Sequence, residues 1–135
     1  MSALTCIVVT PQEMVLQQTA QRIVVTLEDG ELGIAPGHTP LIGRLGPGQL
    51  RITSGILASE VTDIYYVEGG FVEVVGNEVT LLTDRALPVG RIDVPAAHQL
   101  LDEVEGKLAP TPELMAQRDR AADAARAQLR AARKA

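Results

Sequence analysis

The sequence has 135 residues, 46% of them hydrophobic, and a formal net charge of −5. This length fits one ordinary domain, or a small domain with an appended segment. Three aromatic residues and an acidic balance argue against a nucleic-acid binder, which needs stacking rings and a basic surface. We find neither a charged-then-apolar leader nor a run of 18 apolar residues, so we expect no signal peptide and no membrane span.

In the first two thirds of the sequence, apolar residues recur at the two-residue spacing that is typical of β-strands. Short segments rich in β-branched residues are separated by turn residues. Eight segments fit this pattern: Leu4–Val9, Met14–Gln18, Arg22–Leu27, Glu31–Ile34, Gln49–Ser54, Asp63–Glu68, Gly70–Val75 and Glu78–Thr83. The dipeptides Asp29-Gly30 and Gly76-Asn77 predict hairpin turns. Eight to ten short strands predict a β-sandwich of antiparallel sheets, which we assign to residues 1–88.

Cys6 is the single cysteine of the chain and lies within the first apolar segment. Free cysteine behaves as a small hydrophobic residue, so we expect Cys6 to be buried in a strand. One cysteine cannot form an internal disulfide, which agrees with a reducing compartment.

The segment from Asp29 to Leu41 contains three glycines and two prolines. Loops this rich in backbone-restricting residues often hold a shape for a partner. His38 lies between Pro36-Gly37 and Thr39-Pro40, where its ring either faces a partner or holds the loop by a local hydrogen bond. Glu31 is either an ordinary acid at a strand end or a contact at the rim of an interface.

From Val94 onward, apolar residues recur at three- and four-residue steps, which is the spacing typical of a helix. One apolar stripe is formed by Val94, Ala97, Leu100, Leu101, Val104 and Leu108. Asp93 is a suitable N-cap, and Pro95 suits the first turn. Gly106 and the segment 109–112 end this helix.

A second helix is predicted to begin at Thr111 or Pro112, so that residues 89–135 form an α-helical hairpin. Its apolar stripe consists mostly of alanine: Leu114, Ala121, Ala125, Leu129 and Ala132. An alanine face buries little area, so we expect this helix to be held weakly and to move as a unit.

Residues 111–135 carry six basic and three acidic side chains. At helical spacing Arg126, Arg130 and Arg133 fall on one side. This side is either a solvated face, with Asp123 and Arg126 as an i,i+3 ion pair, or a surface that docks onto acidic residues of a partner.

We find no pattern of residues that predicts catalysis. His38 and His98 are not in a cluster with metal-ligand spacing, and a buried Cys6 is not an activated nucleophile. The glycine-rich segment 43–48 does not match a phosphate-binding loop. We therefore predict no catalytic residues, no metal and no cofactor.

The motifs resemble those of a known family. The segment Glu31-Leu32-Gly33-Ile34, then Pro36-Gly37-His38-Thr39-Pro40-Leu41, then Pro47-Gly48 before a strand, closely resembles the epsilon subunit of F-type ATP synthase. The segments 69–74 and 79–82 are similar to the later strands of that family. The resemblance covers nearly the whole chain and implies a ten-stranded sandwich followed by two helices.

The resemblance implies a non-catalytic rotor subunit of the central stalk, peripheral to the membrane on the cytoplasmic face of the bacterial plasma membrane. In the family the sandwich binds the gamma subunit, and its base rests on the polar loops of the c-ring. Glu31 and His38 match the motif positions nearest to that c-ring contact.

In bacterial members the helical pair restrains ATP hydrolysis when its last helix extends into the catalytic head of alpha and beta subunits. The resemblance makes Arg118, Arg126, Arg130 and Arg133 the candidate contacts to that head. Some members also bind ATP through a motif with Asp and, three residues later, Arg. Here Asp93 matches but Ala96 replaces the arginine, so weak or absent ATP binding is expected.

Two other function classes remain as alternatives. One is a free-standing β-sandwich module that binds a small ligand and is gated by the helices. The other is a small enzyme, which the missing nucleophile–base and metal sets disfavour. Co-purification with a membrane ATPase distinguishes the subunit from the module, and a loss of coupling rather than of chemistry in Glu31→Ala and His38→Ala distinguishes it from the enzyme.

Overall fold

In the computed structural model, which describes residues 3–56 and 59–133, the chain divides into two units, Met1–Pro88 and Val89–Ala135. The described part of the first unit contains ten strands: β1 (Leu4–Val9), β2 (Met14–Ala20), β3 (Arg22–Leu27), β4 (Gly30–Ile34), β5 (Leu41–Arg44), β6 (Gly48–Ser54), β7 (Val61–Glu68), β8 (Phe71–Val75), β9 (Glu78–Leu82) and β10 (Arg85–Pro88). The second unit contains two helices, α1 (Val94–Glu105) and α2 (Pro112–Arg133). The predicted β-sandwich followed by an α-helical hairpin is confirmed.

The strands form two five-stranded sheets. One has the order β2-β1-β9-β8-β5 and the other the order β10-β7-β6-β3-β4. Neighbouring strands are antiparallel except β1 and β9, which are parallel and pair Thr5 with Glu78. The strands β4 and β5 are therefore the outer strands of different sheets, joined by the loop of residues 35–40.

The core between the sheets is aliphatic. Alternate residues of each strand face inward, as the two-residue period requires. In β1 these are Leu4, Cys6 and Val8, all with no exposed surface. The buried side chain of Cys6 confirms the expectation for this residue. The other fully buried members of the cluster include Ile23, Val25, Leu50, Ile52, Val67, Val72, Val74, Val79 and Leu81.

Two strands were not predicted. The four residues of β5 lie between Pro40 and the turn at Gly46-Pro47, and Gly43 interrupts their alternation. The strand β10 is equally short and ends at Pro88, which is tolerated because β10 is the outer strand of its sheet. Turn-forming residues in both strands obscure the strand pattern in the sequence. Each strand is recognised only by its pairing, β5 with β8 and β10 with β7.

Both predicted hairpins are present, but the turn of the first lies one residue earlier than the predicted Asp29-Gly30. In the β3–β4 hairpin Leu27 pairs with Gly30, so the two turn residues are Glu28 and Asp29. Gly30 itself begins β4 with φ of 135°, a conformation that L residues rarely adopt. In the β8–β9 hairpin Val75 pairs with Glu78, and Gly76 has φ of 60° at the first turn position.

The helix α1 begins as predicted. The carboxylate of Asp93 accepts a hydrogen bond from the Ala96 amide at 3.0 Å, and Pro95 occupies the first turn. The predicted apolar stripe is buried only in part, because Ala97 and Val104 are buried whereas Val94 and Leu100 are more than a third exposed. Leu108 lies beyond the helix and is 94% exposed.

The helix α2 also begins as predicted, but of the predicted apolar stripe only Ala125 is buried, and Ala121, Leu129 and Ala132 are half-buried. The Thr111 hydroxyl accepts a hydrogen bond from the Leu114 amide at 3.2 Å and so caps the first turn. The buried residues are Ala122, Ala125, Ala127, Gln128 and Ala131, whereas Leu114 is 44% exposed. Alanines occur all around this helix, so the few leucines were a poor guide to the buried face.

Candidate functional site

One side of the sandwich is built from β4, the loop 35–40 and β5. This side is closed by an isolated bridge between Leu27 and Leu45 and by a hydrogen bond from the Glu28 amide to the Arg44 carbonyl at 3.0 Å. The end of β3 and its turn are thus joined to the end of β5, which links the two sheets on this side. We call it the β4–β5 edge.

Glu31 is the second residue of β4 and lies opposite Thr26 of β3. Glu31 is exposed, and its carboxylate makes no hydrogen bond or ion pair within residues 3–56 and 59–133. An unpaired carboxylate at the rim of an exposed strand is available to a donor on a partner surface.

His38 belongs to a tight turn in the loop. Its amide donates to the Ala35 carbonyl at 3.1 Å, with Pro36 and Gly37 between them. Gly37 has φ of 85°, so proline and glycine occupy the two central positions that a type II turn requires. The turn therefore explains why this loop has both residues side by side.

The ring of His38 has one nitrogen engaged inside the loop. Its Nδ1 lies 2.7 Å from the Thr39 carbonyl oxygen, which can only accept, so Nδ1–H is the donor. In the neutral ring Nε2 is then a hydrogen-bond acceptor. The local hydrogen bond of one sequence alternative is therefore present, and a contact of Nε2 with a partner stays a prediction.

Glu31 and His38 lie on the same edge but not in one cluster. The strand β4 separates them, and from Glu31 to the strand end at Ile34 the chain rises by about 10 Å. They are two separate contact points on the β4–β5 edge, so they do not form a single binding pocket.

The outer face of the β2-β1-β9-β8-β5 sheet carries large exposed apolar side chains. Phe71 pairs with Leu82, which also pairs with Val9, and this places their side chains in one row. The exposed members of this face are Met14, Ile42, Phe71, Val75 and Leu82, all close to half exposed or more. We call it the apolar sheet face.

The apolar sheet face was missed by the sequence reasoning, although a signal exists. The residues of β8 are apolar on both sides of the strand, with Val72 and Val74 buried and Phe71 and Val75 exposed. A strand that is apolar on both sides usually has both sides covered. An exposed apolar patch of this kind marks an interaction surface. Arg44 lies over the Phe71 ring at 5.7 Å and borders the patch.

The helical hairpin contains a basic groove. Arg126, Arg130 and Arg133 of α2 line a cavity of about 430 Å³ together with His98 of α1, and the remaining lining residues are Val94, Leu129 and Ala132. The groove has no acidic lining residue, so it favours carboxylate or phosphate groups. The sequence predicted that the three arginines fall on one side, but it did not identify His98.

The four predicted arginines have different surroundings. Arg126 donates to Glu105 of α1 and to Asp123 of its own helix, both at 3.2 Å. The predicted Asp123–Arg126 pair is therefore present. Arg118 lies outside the basic groove and is 3.5 Å from the carboxylate of Asp119. Arg130 and Arg133 make no ion pair within the described residues.

The start of α1 offers little to a nucleotide. The Asp93 side chain caps the helix. Ala96 has only a methyl group at the position where the ATP-binding motif of some family members has an arginine. Within residues 3–56 and 59–133 there is no group of three or more His, Cys, Asp or Glu placed to hold a metal ion. In the same residues, no helix has both the length and the hydropathy to cross a membrane.

Comparison with known proteins places this architecture in a family. Residues 3–89 match the model of the ATP synthase delta/epsilon chain, β-sandwich domain. The ATP synthase epsilon chain of Rhodopirellula baltica is 40% identical over 133 residues, covering 97% of this chain and 99% of the relative. The ATP synthase epsilon chain 2 of Ralstonia nicotianae is 43% identical, covering 73% of this chain and 69% of the relative.

A solved structure agrees with these relatives. A chain in the mitochondrial ATP synthase of Euglena gracilis, from a structure of OSCP, F1 and c-ring, has a TM-score of 0.82 and 25% identity. The match covers 98% of this chain and 82% of that one. The sequence comparison and the fold comparison therefore agree, and this chain belongs to the family of ATP synthase epsilon chains.

Proposed function

We propose that this chain is a non-catalytic rotor subunit of a bacterial F-type ATP synthase, peripheral to the cytoplasmic face of the plasma membrane. In this proposal it links the gamma subunit to the c-ring, and its helices restrain ATP hydrolysis in the alpha/beta catalytic head. The observation that carries the proposal is the β4–β5 edge, where Glu31 is exposed on β4 and His38 lies half-buried in a loop restrained by a tight turn. The family membership and the F1/c-ring context of the Euglena relative support it.

The β4–β5 edge suits a contact that transmits torque. A type II turn, Pro36 and Pro40 limit the backbone freedom of the loop, and the Leu27–Leu45 bridge joins the two sheets behind it. A loop with few accessible conformations has little entropy to lose on contact and deforms little under load. Glu31 can accept from donors on the polar c-ring loops, and so can Nε2 of His38.

The apolar sheet face is proposed as the docking surface for the gamma subunit. Its row of Val9, Leu82 and Phe71 crosses three neighbouring strands, and burial of these side chains gains about 25 cal/mol for each Å² removed from water. Glu73 and Glu78 lie among these apolar residues on the same face. We therefore expect the matching gamma surface to be apolar with basic residues beside it.

The helical hairpin is proposed as the brake on hydrolysis. Its basic groove presents Arg130 and Arg133, whose guanidinium groups can pair with acidic segments of the catalytic subunits. The helix α2 is rich in alanine and arginine, so it can remain helical when it leaves α1. A switch requires two arrangements of the hairpin, with α2 against α1 and with α2 extended, that are similar in free energy.

The link to the c-ring is tested by alanine substitution in the assembled enzyme. We expect Glu31→Ala and His38→Ala to lower ATP-driven proton pumping while the ATPase rate is maintained. Glu13→Ala is the matched control, because Glu13 is an exposed acid next to β2, the outer strand farthest from β5 in the same sheet. Pumping that stays at the wild-type level in both test variants would overturn the proposed contact.

The brake is tested by removal of α2. Truncation after Leu108 should raise the ATPase rate of the complex and leave assembly intact. A double substitution, Arg130→Ala with Arg133→Ala, should raise the rate in the same direction, whereas Arg120→Ala outside the groove should not. An unchanged rate on truncation would mean that the helices do not inhibit hydrolysis.

A further inference from the structure

The loop that carries His38 is fixed to the β8–β9 turn by a single side chain. The Gly37 amide donates to the Asn77 side-chain oxygen at 2.9 Å. The other hydrogen bonds of the loop, from His38 to Ala35 and to Thr39, stay inside it. Within residues 3–56 and 59–133, the bond from Gly37 to Asn77 is the hydrogen bond that joins residues 35–40 to a part of the chain other than the loop itself, β4 or β5.

Asn77 is itself held firmly. It is the second residue of the β8–β9 turn, and its carbonyl accepts from the Thr5 amide at 2.8 Å. Through this bond the turn is joined to β1 at the point where β1 and β9 begin their parallel pairing. The anchor of the loop therefore lies at the end of the central strand of its sheet.

The tether acts on the residue next to His38. Gly37 is the second central residue of the turn, so holding its amide fixes the plane of the peptide between Pro36 and Gly37, which is the central peptide of the turn. The Nδ1–H bond to Thr39 then holds the His38 ring against the backbone that follows the turn. Together the two bonds leave Nε2 at a defined place on the β4–β5 edge, although the loop is exposed.

We propose that Asn77 is a positioning residue for the His38 contact: its side-chain oxygen holds the Gly37 amide and so keeps the loop in the conformation that meets the c-ring. This inference rests on the proposed function, because it takes the c-ring as the partner of His38. Asn77 does not touch the partner, and it acts only through the loop.

The first measurement is hydrogen exchange of the Gly37 amide in the full-length chain. Asn77→Ala and Asn77→Ser both remove an acceptor that reaches Gly37, and serine remains compatible with a turn. We expect exchange to become roughly tenfold faster in both. Asn77→Asp keeps an oxygen at the same position, so its exchange rate should stay near that of the native chain. Unchanged exchange in the alanine and serine variants would overturn the proposal.

The second measurement is proton pumping per ATP hydrolysed in the assembled enzyme. Asn77→Ala and Asn77→Ser should lower this ratio, and Asn77→Asp should restore it, which a merely structural loss of the turn would not do. If His38→Ala lowers the ratio and the Asn77 variants do not, the positioning role is wrong and the c-ring contact stands. If neither His38→Ala nor the Asn77 variants change it, the contact itself is wrong and the inference fails with it.

Discussion

Arg126 on α2 and Glu105 at the end of α1 form an ion pair across the helical hairpin, with 3.2 Å between the guanidinium nitrogen and the carboxylate oxygen. The same guanidinium also donates to Asp123. Arg126 is therefore engaged while the hairpin is closed, whereas Arg130 and Arg133 are not engaged in any ion pair of the described residues. Opening the hairpin would break the pair with Glu105, leave the pair with Asp123 within α2, and so make part of the Arg126 guanidinium available to another acidic partner.

A double-mutant cycle of Arg126→Ala and Glu105→Ala should give a small coupling energy. Both side chains are about half exposed, so we expect roughly 0.2–1 kcal/mol, which should largely disappear in 1 M salt. The measurement is urea unfolding of the full-length chain at low and high salt. Arg120→Ala with Glu105→Ala serves as the control cycle and should give no coupling. A coupling that persists in high salt would contradict an exposed pair.

Substitution of Gly70 should be far more damaging than substitution of Gly76, although both have positive φ. A Cβ at Gly70 would overlap the carbonyl oxygen of Leu82, whereas a Cβ at Gly76 meets nothing within 4 Å. We expect Gly76→Ala to cost about 1 kcal/mol and Gly70→Ala more than about 3 kcal/mol or to prevent folding. Urea or thermal unfolding compares them, and equal losses would mean that the close approach at Gly70 relaxes easily.

The stability of the chain should fall with rising pH above 9 because of Cys6. Burial raises the pKa of its thiol from the ordinary value of 9.0 to about 12. The unfolded chain then loses this proton first, so the thiol has no effect below pH 9, and between pH 9 and 12 it lowers the free energy of unfolding by about 1.4 kcal/mol per pH unit.

Cys6→Ala provides the comparison for that slope. Other groups titrate in the same range, so the test is the difference between the native chain and the variant in urea unfolding at several pH values. The native chain should lose stability more steeply above pH 9. Native Cys6 should also resist thiol reagents at pH 8, and rapid labelling without unfolding would contradict its burial.

Calorimetric titration of the full-length chain with ATP should show weak or no binding. Asp93 already caps α1, Arg126 is paired with two carboxylates, and Ala96 has no donor for a phosphate or sugar. Ala96→Arg is the informative variant, since it supplies a guanidinium in the first turn of α1 and should raise the affinity. Micromolar affinity in the native chain would contradict this prediction.

Much of the sandwich could be predicted because its inward residues alternate with outward ones along each strand. Where that alternation was short or interrupted, as at Gly43 in β5 and Pro88 in β10, the strands were missed. The buried face of α2 was predicted only in part, with Ala125 correct, because alanine occurs on every side of that helix and its pattern does not single out one face. Only packing against a neighbour decides between such faces.

The candidate functional site, like the fold, could be predicted only in part from the sequence. The motif around His38 could be recognised from residues that are adjacent in sequence, and the turn chemistry of Pro36-Gly37 follows from it. The tether could not be recognised, because Asn77 and Gly37 are 40 positions apart and neither residue is unusual alone. The apolar sheet face depends on strand pairing in the same way, since Leu82 meets Val9 and Phe71 only in the folded sheet.

The parallel pairing of β1 with β9 affects how the chain is synthesised. The strand β1 can pair with β2 as soon as both have been synthesised, but its pairing with β9 must wait until residues near Leu82 have emerged from the ribosome. Folding of the sandwich should therefore be slow relative to the helices, and subunits that bind the complete sandwich should meet the chain only after the later strands have been synthesised.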